Sequence, residues 1–548
     1  MKKVLKILTI IIISLICSIK NIKADELPKV YFEGNINDMT SKEDERKIKL
    51  TYTSKELNFD AYALIKIQGS SSLTYEKKNY TIKLYKDRDY DNKKRINVGF
   101  GDEYKYCLKA NWVDKTHARN IVTAKIASDI QQKYNLFTNT PNNGLINGFP
   151  VEIYVNNTFY GLYTWNIPKD EWLFNMNKNN PNHIAIVGDS YTYSTLFQEK
   201  ATLNNGWEIE IGPQTNETLD KFNRVIEFIS TSTDKEFKQN FEKYLNLDAT
   251  LNYYIMLNIA ELFDNNAKNL FMITYDGNIW SPSLYDLDTS WGVQYDGKSF
   301  FNYDTTLIEK ADKNLLWIKF EKNFNNEIAN RYFELRKNIL TKENILNEFN
   351  NFTNQIPTSS IEKEHNKWQN IPGYDINQIE EFLNTRIPRI DDYMYNLYDI
   401  NSTITMKYST VKPTLKPVEI TLKPNRNDTI ILINGKQTYN YNYTFKENGE
   451  YILEYQDWKG NSLGTVTMKV NWIIKNKIIY ILITTILILT GILLSKQQQK
   501  KKELLNSKTT TTTTATTKTK IDNKTTTPKN TKTNKKANKK ANKKTKNK

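Results

Sequence analysis

An uncharged apolar segment near the C-terminal end limits how the rest of the chain can be arranged. Residues 478–495 form an eighteen-residue run without a charged side chain, and a helix needs about 20 apolar residues to cross the hydrocarbon core of a bilayer. Four lysines follow at 496–502, whereas two precede the run at 475–477. Because the more basic flank stays in the cytoplasm, the pattern predicts one transmembrane helix, a cytoplasmic tail and a large region on the other side of the membrane.

The N-terminal segment agrees with this topology. Lysines at 2–6 precede an apolar run from Ile7 to Ile16, as in a secretory signal peptide, and Ala24 offers a small residue for cleavage. Cys17 lacks the small preceding residue of a lipoprotein signal, so ordinary secretion is favoured. We therefore expect residues 1–24 to be a signal peptide. The protein is then a single-pass cell-membrane protein with an extracellular or lumenal ectodomain.

The net charge of +16 belongs to the termini and not to the ectodomain. Residues 496–548 contain eighteen lysines and two acidic residues, and residues 1–24 contain five lysines and none, which leaves 25–495 at about −5. No basic face marks the folded part for nucleic acid, so we expect no nucleic-acid partner. The Lys/Thr-rich tail at 496–548 cannot bury a core and is predicted to be disordered. It serves either to contact anionic lipid or as a passive extension.

The few cysteines and histidines argue against a disulfide-bonded protein and against a structural zinc site. Cys107 is the single cysteine outside the predicted signal peptide, so an intramolecular disulfide is impossible and a buried, inert thiol is favoured. The three histidines, His117, His183 and His365, are scattered and have no cysteine partners, which argues against a structural zinc site.

The ectodomain changes from strand patterns to helix patterns along its length. Alternating, β-rich runs at 61–67 and 79–85 predict a hairpin with a Gly/Ser connection, and those at 150–155 and 159–164 predict a second. Helical periodicity appears first over 119–133 and then dominates over 218–263 and 315–397. We therefore expect residues 25–400 to form an α+β domain of two lobes with a cleft between them.

Residues 405–471 have a different pattern. Short strand-like runs alternate with the turn signals Asn434-Gly435, Asn448-Gly449 and Lys459-Gly460 at regular spacing. This spacing is typical of a small all-β sandwich. The segment resembles the immunoglobulin-like (Ig-like) modules of bacterial surface proteins, and we expect it to be a stalk next to the membrane.

The segment from Leu247 to Gly292 carries the candidate chemistry. A helical pattern ends at Phe263 and is followed by Asp264, four residues, Asn269, a predicted β-hairpin, and then Asp286-Leu-Asp288. Protein kinases arrange their catalytic base and metal ligands in this order. Phosphoryl transfer needs oxygen ligands for a divalent metal and a carboxylate near the attacking hydroxyl. The spacing alone, however, favours ordinary turn and cap residues in a chain this rich in Asn.

Four segments together favour the chemical interpretation. They are Gln68-Gly-Ser-Ser-Ser72 with Lys78-Asn-Tyr-Thr-Ile-Lys-Leu84, Leu108-Lys-Ala-Asn111 with Arg119-Asn120, Val151-Glu-Ile-Tyr-Val-Asn156 with Gly161-Leu-Tyr163, and Asp264…Asn269 with Tyr285-Asp-Leu-Asp288. In this order they resemble motifs of the spore coat protein H-like (CotH) family of atypical protein kinases. The resemblance extends over about residues 28–395.

The resemblance implies a reduced, two-lobed kinase-like fold that uses ATP with Mg or Mn to phosphorylate Ser or Thr of a protein substrate. It implies that Asp264 is the catalytic base and Asp286 the main metal ligand, with Asn269 and Asp288 as further ligands. The implied nucleotide-binding residues are Lys83, which would pair with phosphates, and Gly69, Ser71 and Ser72, where the backbone would approach the nucleotide.

The chain also departs from the family pattern. Gln68 replaces the usual Arg, Tyr285 replaces a frequent Trp, and residues 165–168 lack the acidic residue that is common there. Two assignments have alternatives: Lys83 can point to solvent, and Arg119 is expected to pair with Asp114 more than with phosphate. Two functions therefore stay open, an active kinase and a catalytically inactive surface module that binds a protein partner.

Overall fold

The computed structural model describes residues 26–69, 71–203, 205–300, 313–373, 375–412, 417–470 and 477–509. The predicted signal peptide and most of the predicted disordered tail lie outside these residues. The chain divides into two compact units. One contains the residues up to 412 together with 418–470, and the other contains the C-terminal helix.

The N-terminal part of the larger unit consists mainly of strands. They are β1 (Lys29–Glu33), β2 (Glu45–Thr53), β3 (Asn58–Gln68), β4 (Asn79–Tyr85), β5 (Ile96–Asn97), β6 (Asp102–Glu103), β7 (Lys105–Lys109), β8 (Gly148–Val155) and β9 (Thr158–Asn166). Strands β5 and β6 form a short hairpin, and the other seven close into a barrel in the order β1-β2-β3-β4-β7-β9-β8. The barrel closes because β1 pairs with β2 on one side and runs parallel to β8 on the other.

Alternation along the strands decides what fills the barrel. On β4, Tyr80, Ile82 and Leu84 are buried with side chains of the other strands in one apolar cluster. Successive side chains of a strand point to opposite faces. On β7, the outer face of the barrel therefore carries the side chains of Lys105, Cys107 and Lys109.

Helix α1 (Arg119–Lys133) follows β7 and has the predicted limits. Asp114 fixes its first turn, since one carboxylate oxygen accepts a hydrogen bond of 2.8 Å from the backbone N–H of Arg119. The other oxygen pairs with the Arg119 guanidinium, and both side chains are fully buried. The predicted Arg119–Asp114 ion pair is thus confirmed.

The second part of this unit contains a small sheet and most of the helices. The strands are β10 (Ile184–Gly188), β11 (Trp207–Ile211), β12 (Phe271–Thr274) and β13 (Ser281–Ser283), in the order β11-β10-β12-β13. The helices are α2 (Asn216–Thr231), α3 (Asp234–Asn240), α4 (Leu247–Ile259), α5 (Leu315–Arg336), α6 (Lys342–Thr353), α7 (Thr358–Lys367) and α8 (Ile376–Asn396). This sheet and these helices share the largest apolar core of the chain with α1.

The fold is therefore mixed α/β, with strands first and helices later, as the sequence predicts. Both predicted hairpins are present, as β3–β4 and β8–β9. Closure of the first sheet into a barrel was not predicted, because alternation identifies the buried face of a strand and not its distant partner. The comparison with a two-lobed kinase stays a prediction.

Residues 404–470 form two small sheets that share one core. The strands are β14 (Ile404–Tyr408), β15 (Val418–Pro424), β16 (Ile430–Ile433), β17 (Lys436–Thr438), β18 (Asn442–Phe445), β19 (Gly449–Gln456) and β20 (Ser462–Val470). One sheet has the order β14-β15-β18 and the other β17-β16-β19-β20. Ile420, Phe445, Ile431 and Leu453 from the two sheets lie in a single buried cluster. The Ig-like assignment itself stays a prediction.

This all-β region packs against the helices that precede it. The Trp458 ring lies 5.0 Å from the Phe333 ring on α5 and 5.4 Å from the Arg336 guanidinium. The Tyr395 hydroxyl of α8 donates a 2.6 Å hydrogen bond to Asp457. Apolar and polar contacts thus join the two regions into one compact unit.

Helix α9 (Lys477–Thr509) contains the predicted span. Its segment Ile481–Leu504 is long and apolar enough to cross a membrane. Length and composition support a span, and the orientation of the span stays a prediction.

Trp458→Ala should destabilise the whole larger unit. The substitution removes a half-buried ring between α5 and the all-β region, and we expect a loss of about 2 kcal/mol in the free energy of unfolding. Thermal melting followed by circular dichroism would measure the change, with Val411→Ala, at an 88% exposed position, as the control. If the all-β region melts separately and the rest of the unit is unaffected, the packing does not couple the two regions.

Candidate functional site

A cleft of about 520 Å³ lies between the outer face of the barrel and the second sheet. Most of the predicted site residues line it. The side chains and backbone that form its walls include Ile67, Gln68, Gly69, Ser72, Lys109, Lys169, Val187, Gly188, Asp264, Lys268, Asn269, Tyr285, Asp286 and Asp288. A volume of this size is typical of small-molecule sites.

Asp264 begins a single 3-10 turn, Asp264–Asn266, shortly after α4 ends. The turn is fixed from below, where the Tyr253 hydroxyl donates to the Asn265 carbonyl at 2.8 Å and the Trp317 indole N–H donates to the Asn266 carbonyl at 2.9 Å. Both donors are buried side chains of the large core. The core therefore holds the backbone of the turn in place and leaves the Asp264 carboxylate at the cleft.

Two of the predicted metal ligands have a strained backbone. Asn269 and Asp286 have φ angles of 61° and 58°, in the left-handed region that few side chains adopt without a local reason. The Asn269 N–H donates to the Gly188 carbonyl at 2.8 Å. Asn265 donates from its amide to the Tyr285 carbonyl at 2.7 Å, and thereby connects the turn to the segment that carries Asp286.

Asp286 and Asp288 lie close enough to influence each other's ionisation. Burial and the neighbouring Asp286 charge raise the pKa of Asp288 to about 7. The Lys109 ammonium lies 3.4 Å from the Asp286 carboxylate. Although burial opposes the shift, Asp286 and Tyr285 raise the pKa of Lys109 above its usual range. The cleft therefore holds a fixed cation beside two carboxylates that repel each other.

These side chains fit a hard divalent cation. Asp286, Asp288 and Asn269 offer carboxylate and amide oxygens, which Mg²⁺ and Mn²⁺ prefer, and a cation would relieve the repulsion between the two carboxylates. Within the described ranges, no three or more His, Cys, Asp or Glu side chains come together to hold a metal ion. A cation here would thus need further oxygen ligands, which a bound phosphate can supply.

The Gly/Ser segment forms one rim of the cleft. Gly69 has a φ of 115°, and a Cβ at this position would lie 1.8 Å from the Ser72 hydroxyl oxygen. Ser71 begins the 3-10 turn Ser71–Thr74, and Ser72 lines the cleft. Since only glycine fits at position 69, the chain turns sharply here and its backbone approaches the cavity.

Lys83 is not brought to the cleft. It lies on the outer face of β4, opposite Leu64 on one side and Lys105 on the other, and is not among the described residues that line the cavity. Lys109, on the adjacent strand β7, reaches Asp286 instead. Lys109 lies in the segment Leu108-Lys-Ala-Asn111, whose resemblance to the family motif implied no role for this lysine.

The Asp264 carboxylate has two polar neighbours that the sequence did not indicate. Lys268 lies one helical turn along the chain at 3.5 Å. Tyr191, from the loop after β10, donates to the Phe263 carbonyl at 2.9 Å, and burial and the Asp264 charge raise the pKa of its hydroxyl above its usual range. The Lys268 contact is local, since the two residues are spaced i, i+4, and that spacing was the one available signal. The position of Tyr191 depends on folding, and no local pattern indicates it.

The sequence matches the family described as CotH kinase protein over residues 65–390. The match extends from β3 through α8 up to Ile390, and includes Asp264, Asn269, Asp286 and Asp288. It covers more than half of the 548 residues. The chain therefore belongs to the CotH kinase family.

Two solved structures show short similarities. They are the CBM32-1, CBM32-2 and M60 catalytic domains of Clostridium perfringens ZmpB and the M60 catalytic domain of C. perfringens ZmpC in complex with the sialyl T antigen. Each is 16% identical with a TM-score of 0.12, over 30% and 33% of this chain and 19% and 39% of the respective structures. The chain thus spans well under half of either, and such low scores support no inference. No curated protein matches the chain.

Gly188→Ala should displace the segment that carries Asp264 and Asn269. A Cβ at Gly188 would lie 2.1 Å from the Ala267 carbonyl oxygen, which belongs to rigid backbone. We expect a loss of about 1–3 kcal/mol in the free energy of unfolding, measured by urea denaturation. The control is Gly449→Ala, where the nearest atom would be 3.9 Å away. Equal stability of Gly188→Ala and the native protein would contradict the close packing of β10 on this segment.

Proposed function

We propose that the protein is a membrane-anchored, extracytoplasmic protein kinase that transfers phosphate from ATP to Ser or Thr of a protein substrate. The observation that carries the proposal is the meeting of Asp264, Asn269, Asp286 and Asp288 with Lys109 in one cleft. Membership of the CotH kinase family supports the same activity. The fold supports the activity as well, because the barrel lines one side of the cleft and the second sheet lines the other.

The nucleotide would lie between the barrel and the second sheet. Ile67 of β3 and Val187 of β10 line the cavity, and the adenine ring would pack against these apolar side chains. Gly69 would let the backbone approach the phosphates. Lys109, and not Lys83, would contact a phosphate, because Lys109 lies beside the proposed metal ligand Asp286.

The chain's own residues account for the transfer step. Asp264 would accept the proton of the acceptor hydroxyl as its oxygen attacks the γ-phosphorus and the bond to the ADP oxygen breaks. Asp286, Asp288 and Asn269 would hold Mg²⁺ or Mn²⁺, which supplies positive charge to the phosphate oxygens. Lys268, at 3.5 Å from Asp264, would hold this carboxylate in position.

The arrangement of the chain follows from the same proposal. Residues 1–24 would direct secretion, 25–400 would form the two-lobed kinase-like domain, and 405–471 an Ig-like module. Helix α9 would cross the membrane within 478–495, with the tail from 496 to 548 in the cytoplasm. The candidate span Ile481–Leu504 and the lysines at 496–502, which follow the uncharged run 478–495, support this order.

A second function, an inactive module that binds a surface protein, has one observation in its favour. Gln68 hydrogen-bonds the Tyr285 hydroxyl from its amide nitrogen at 3.4 Å, so the two departures from the family pattern contact each other. A neutral Gln lowers the positive charge of the cleft relative to an Arg. The kinase is favoured because Asp264, Asp286 and Asp288 lie in one cleft with Lys109.

Phosphate transfer from γ-labelled ATP would test the proposal. The full-length protein in detergent, with Mn²⁺ or Mg²⁺, should label itself or Ser-rich peptides. Asp264→Asn should lower the rate by about 10²- to 10⁴-fold, because it removes the proton acceptor. Asp286→Ala should abolish labelling, because it removes the main metal ligand.

The outcome separates the two functions. Label that is lost in both variants establishes the kinase and its two carboxylates. Absence of label in the native protein, together with no shift of the melting temperature by ATP and metal, would favour the inactive binding module.

Lys109→Met and Lys83→Met should differ sharply in the same assay. Lys109 is 11% exposed and lies in the cleft beside Asp286, so its loss should reduce labelling at least about tenfold by removing a charge-assisted contact. Lys83 lies outside the cleft, and its loss should leave labelling near the native level. If Lys83→Met lowers labelling and Lys109→Met does not, Lys83 is the phosphate-binding lysine.

A further inference from the structure

The wall of the cleft around Tyr285 carries a second lysine, Lys169, in addition to Lys109. Tyr285 is 7% exposed, and two ammonium groups approach its ring. Lys109 lies 5.6 Å from the ring centroid and Lys169 lies 5.5 Å from it. Lys169 comes from the loop after β9 and lines the same cavity. The two lysines therefore reach one aromatic side chain from different elements.

The partners of the cleft lysines differ in kind. Lys109 faces Asp286 at 3.4 Å and Lys268 faces Asp264 at 3.5 Å, so each of these two cations sits beside a carboxylate of the proposed catalytic machinery. Lys169 instead pairs with Glu210 of β11 at 2.7 Å. Its charge is therefore not needed to neutralise a proposed catalytic carboxylate.

The Lys169–Glu210 pair is easily rearranged. Its side chains are 26% and 24% exposed, so solvent reaches the pair and weakens the attraction between the two charges. Glu208, two residues before Glu210, also lines the cavity, so this wall carries both signs of charge. A triphosphate in the cleft would compete with these carboxylates for Lys169 at small cost.

Gln68 does not supply a cation at this wall. Its amide nitrogen contacts the Tyr285 hydroxyl, and its Oε1 is buried without a hydrogen-bond partner in the described part of the chain. A neutral side chain therefore stands on the barrel side of Tyr285. Of the two ammonium groups that approach the Tyr285 ring, Lys169 is the one that does not face Asp286.

We propose that Lys169 is the second phosphate-contacting cation of the cleft and acts together with Lys109. The proposal rests on the proposed nucleotide site and adds a residue that determines affinity for the phosphate chain. Lys169 binds and orients the phosphates, whereas Asp264 and the metal ligands carry out the transfer. Glu210 holds the Lys169 ammonium at the wall until a phosphate replaces it.

Calorimetric binding to the full-length protein in detergent, with Mn²⁺, would test the proposal. Lys169→Met should raise the Kd for ATP at least about tenfold, as expected for the loss of a charge-assisted hydrogen bond. Its Kd for adenosine should not change, because adenosine has no phosphate. A merely structural defect would weaken both ligands.

Lys105→Met is the matched control. Lys105 is 29% exposed and pairs with Asp170 at 3.1 Å. Asp170 directly follows Lys169 in the chain, so the variant loses a comparable ion pair close to Lys169. Lys105 is not among the described residues that line the cleft. The Kd of the Lys105→Met variant for ATP should therefore stay at the native value. Gln68→Arg in the Lys169→Met background should restore ATP affinity, because it returns one positive charge to the Tyr285 wall.

The outcomes separate this inference from the proposed function. Native ATP affinity in Lys169→Met, or an equal loss for ATP and adenosine, would overturn the inference and leave the nucleotide site intact. Failure of the native protein to bind ATP would overturn the proposed function together with the inference. A loss confined to ATP that Gln68→Arg reverses would establish Lys169 as a phosphate contact.

Discussion

The buried ion pair between Lys77 and Glu364 holds the barrel and the helices in a fixed relation. The two side chains are 0% and 1% exposed, and their charged atoms lie 2.6 Å apart. A buried charge that loses its partner costs several kcal/mol, so each polar atom must be satisfied. Lys77 also donates to the Ala110 carbonyl at 2.9 Å, and Glu364 accepts from the Leu162 N–H at 2.6 Å. One pair thus joins β9, the end of β7 and α7.

The rest of the cleft depends on this joint. Tyr75 and Asn79, on either side of Lys77 in the chain, both line the cavity, and the Asn79 carboxamide oxygen accepts from the Ala110 N–H at 2.7 Å. The same barrel strands carry Lys109 to Asp286. On the other side, the large core fixes the turn that begins at Asp264. The cleft therefore lies between the barrel and the second sheet, and both supply residues to it.

Much of the fold was predictable because it depends on local patterns. The limits of α1, both hairpins and the apolar C-terminal helix follow from periodicity and turn residues in short windows. Barrel closure was not predictable, because β1 meets β8 across more than one hundred residues and no local signal encodes that pairing. Asp264, Asn269, Asp286 and Asp288 were predicted together from the resemblance to the CotH family, because their spacing alone favours ordinary turn and cap residues. Lys109, Lys169 and Tyr191 were missed, since their places depend on which strands and loops become neighbours.

Lys83 and Lys109 show how strand register decides which lysine lies at the cleft. Lys83 and Lys109 both point outward from the barrel, on adjacent strands β4 and β7, and the sequence alone cannot say which strand ends at the cleft. The register decides it: Lys83 lies opposite Lys105, whereas Tyr80 lies opposite Leu108. Lys109 is therefore at the cleft end, near Asn79, and Lys83 is several residues away from it along the strand. Because a strand advances about 3.3 Å per residue, this offset places Lys83 too far along the strand to reach the cleft. Strand register, and not residue type, thus selects the lysine that faces Asp286.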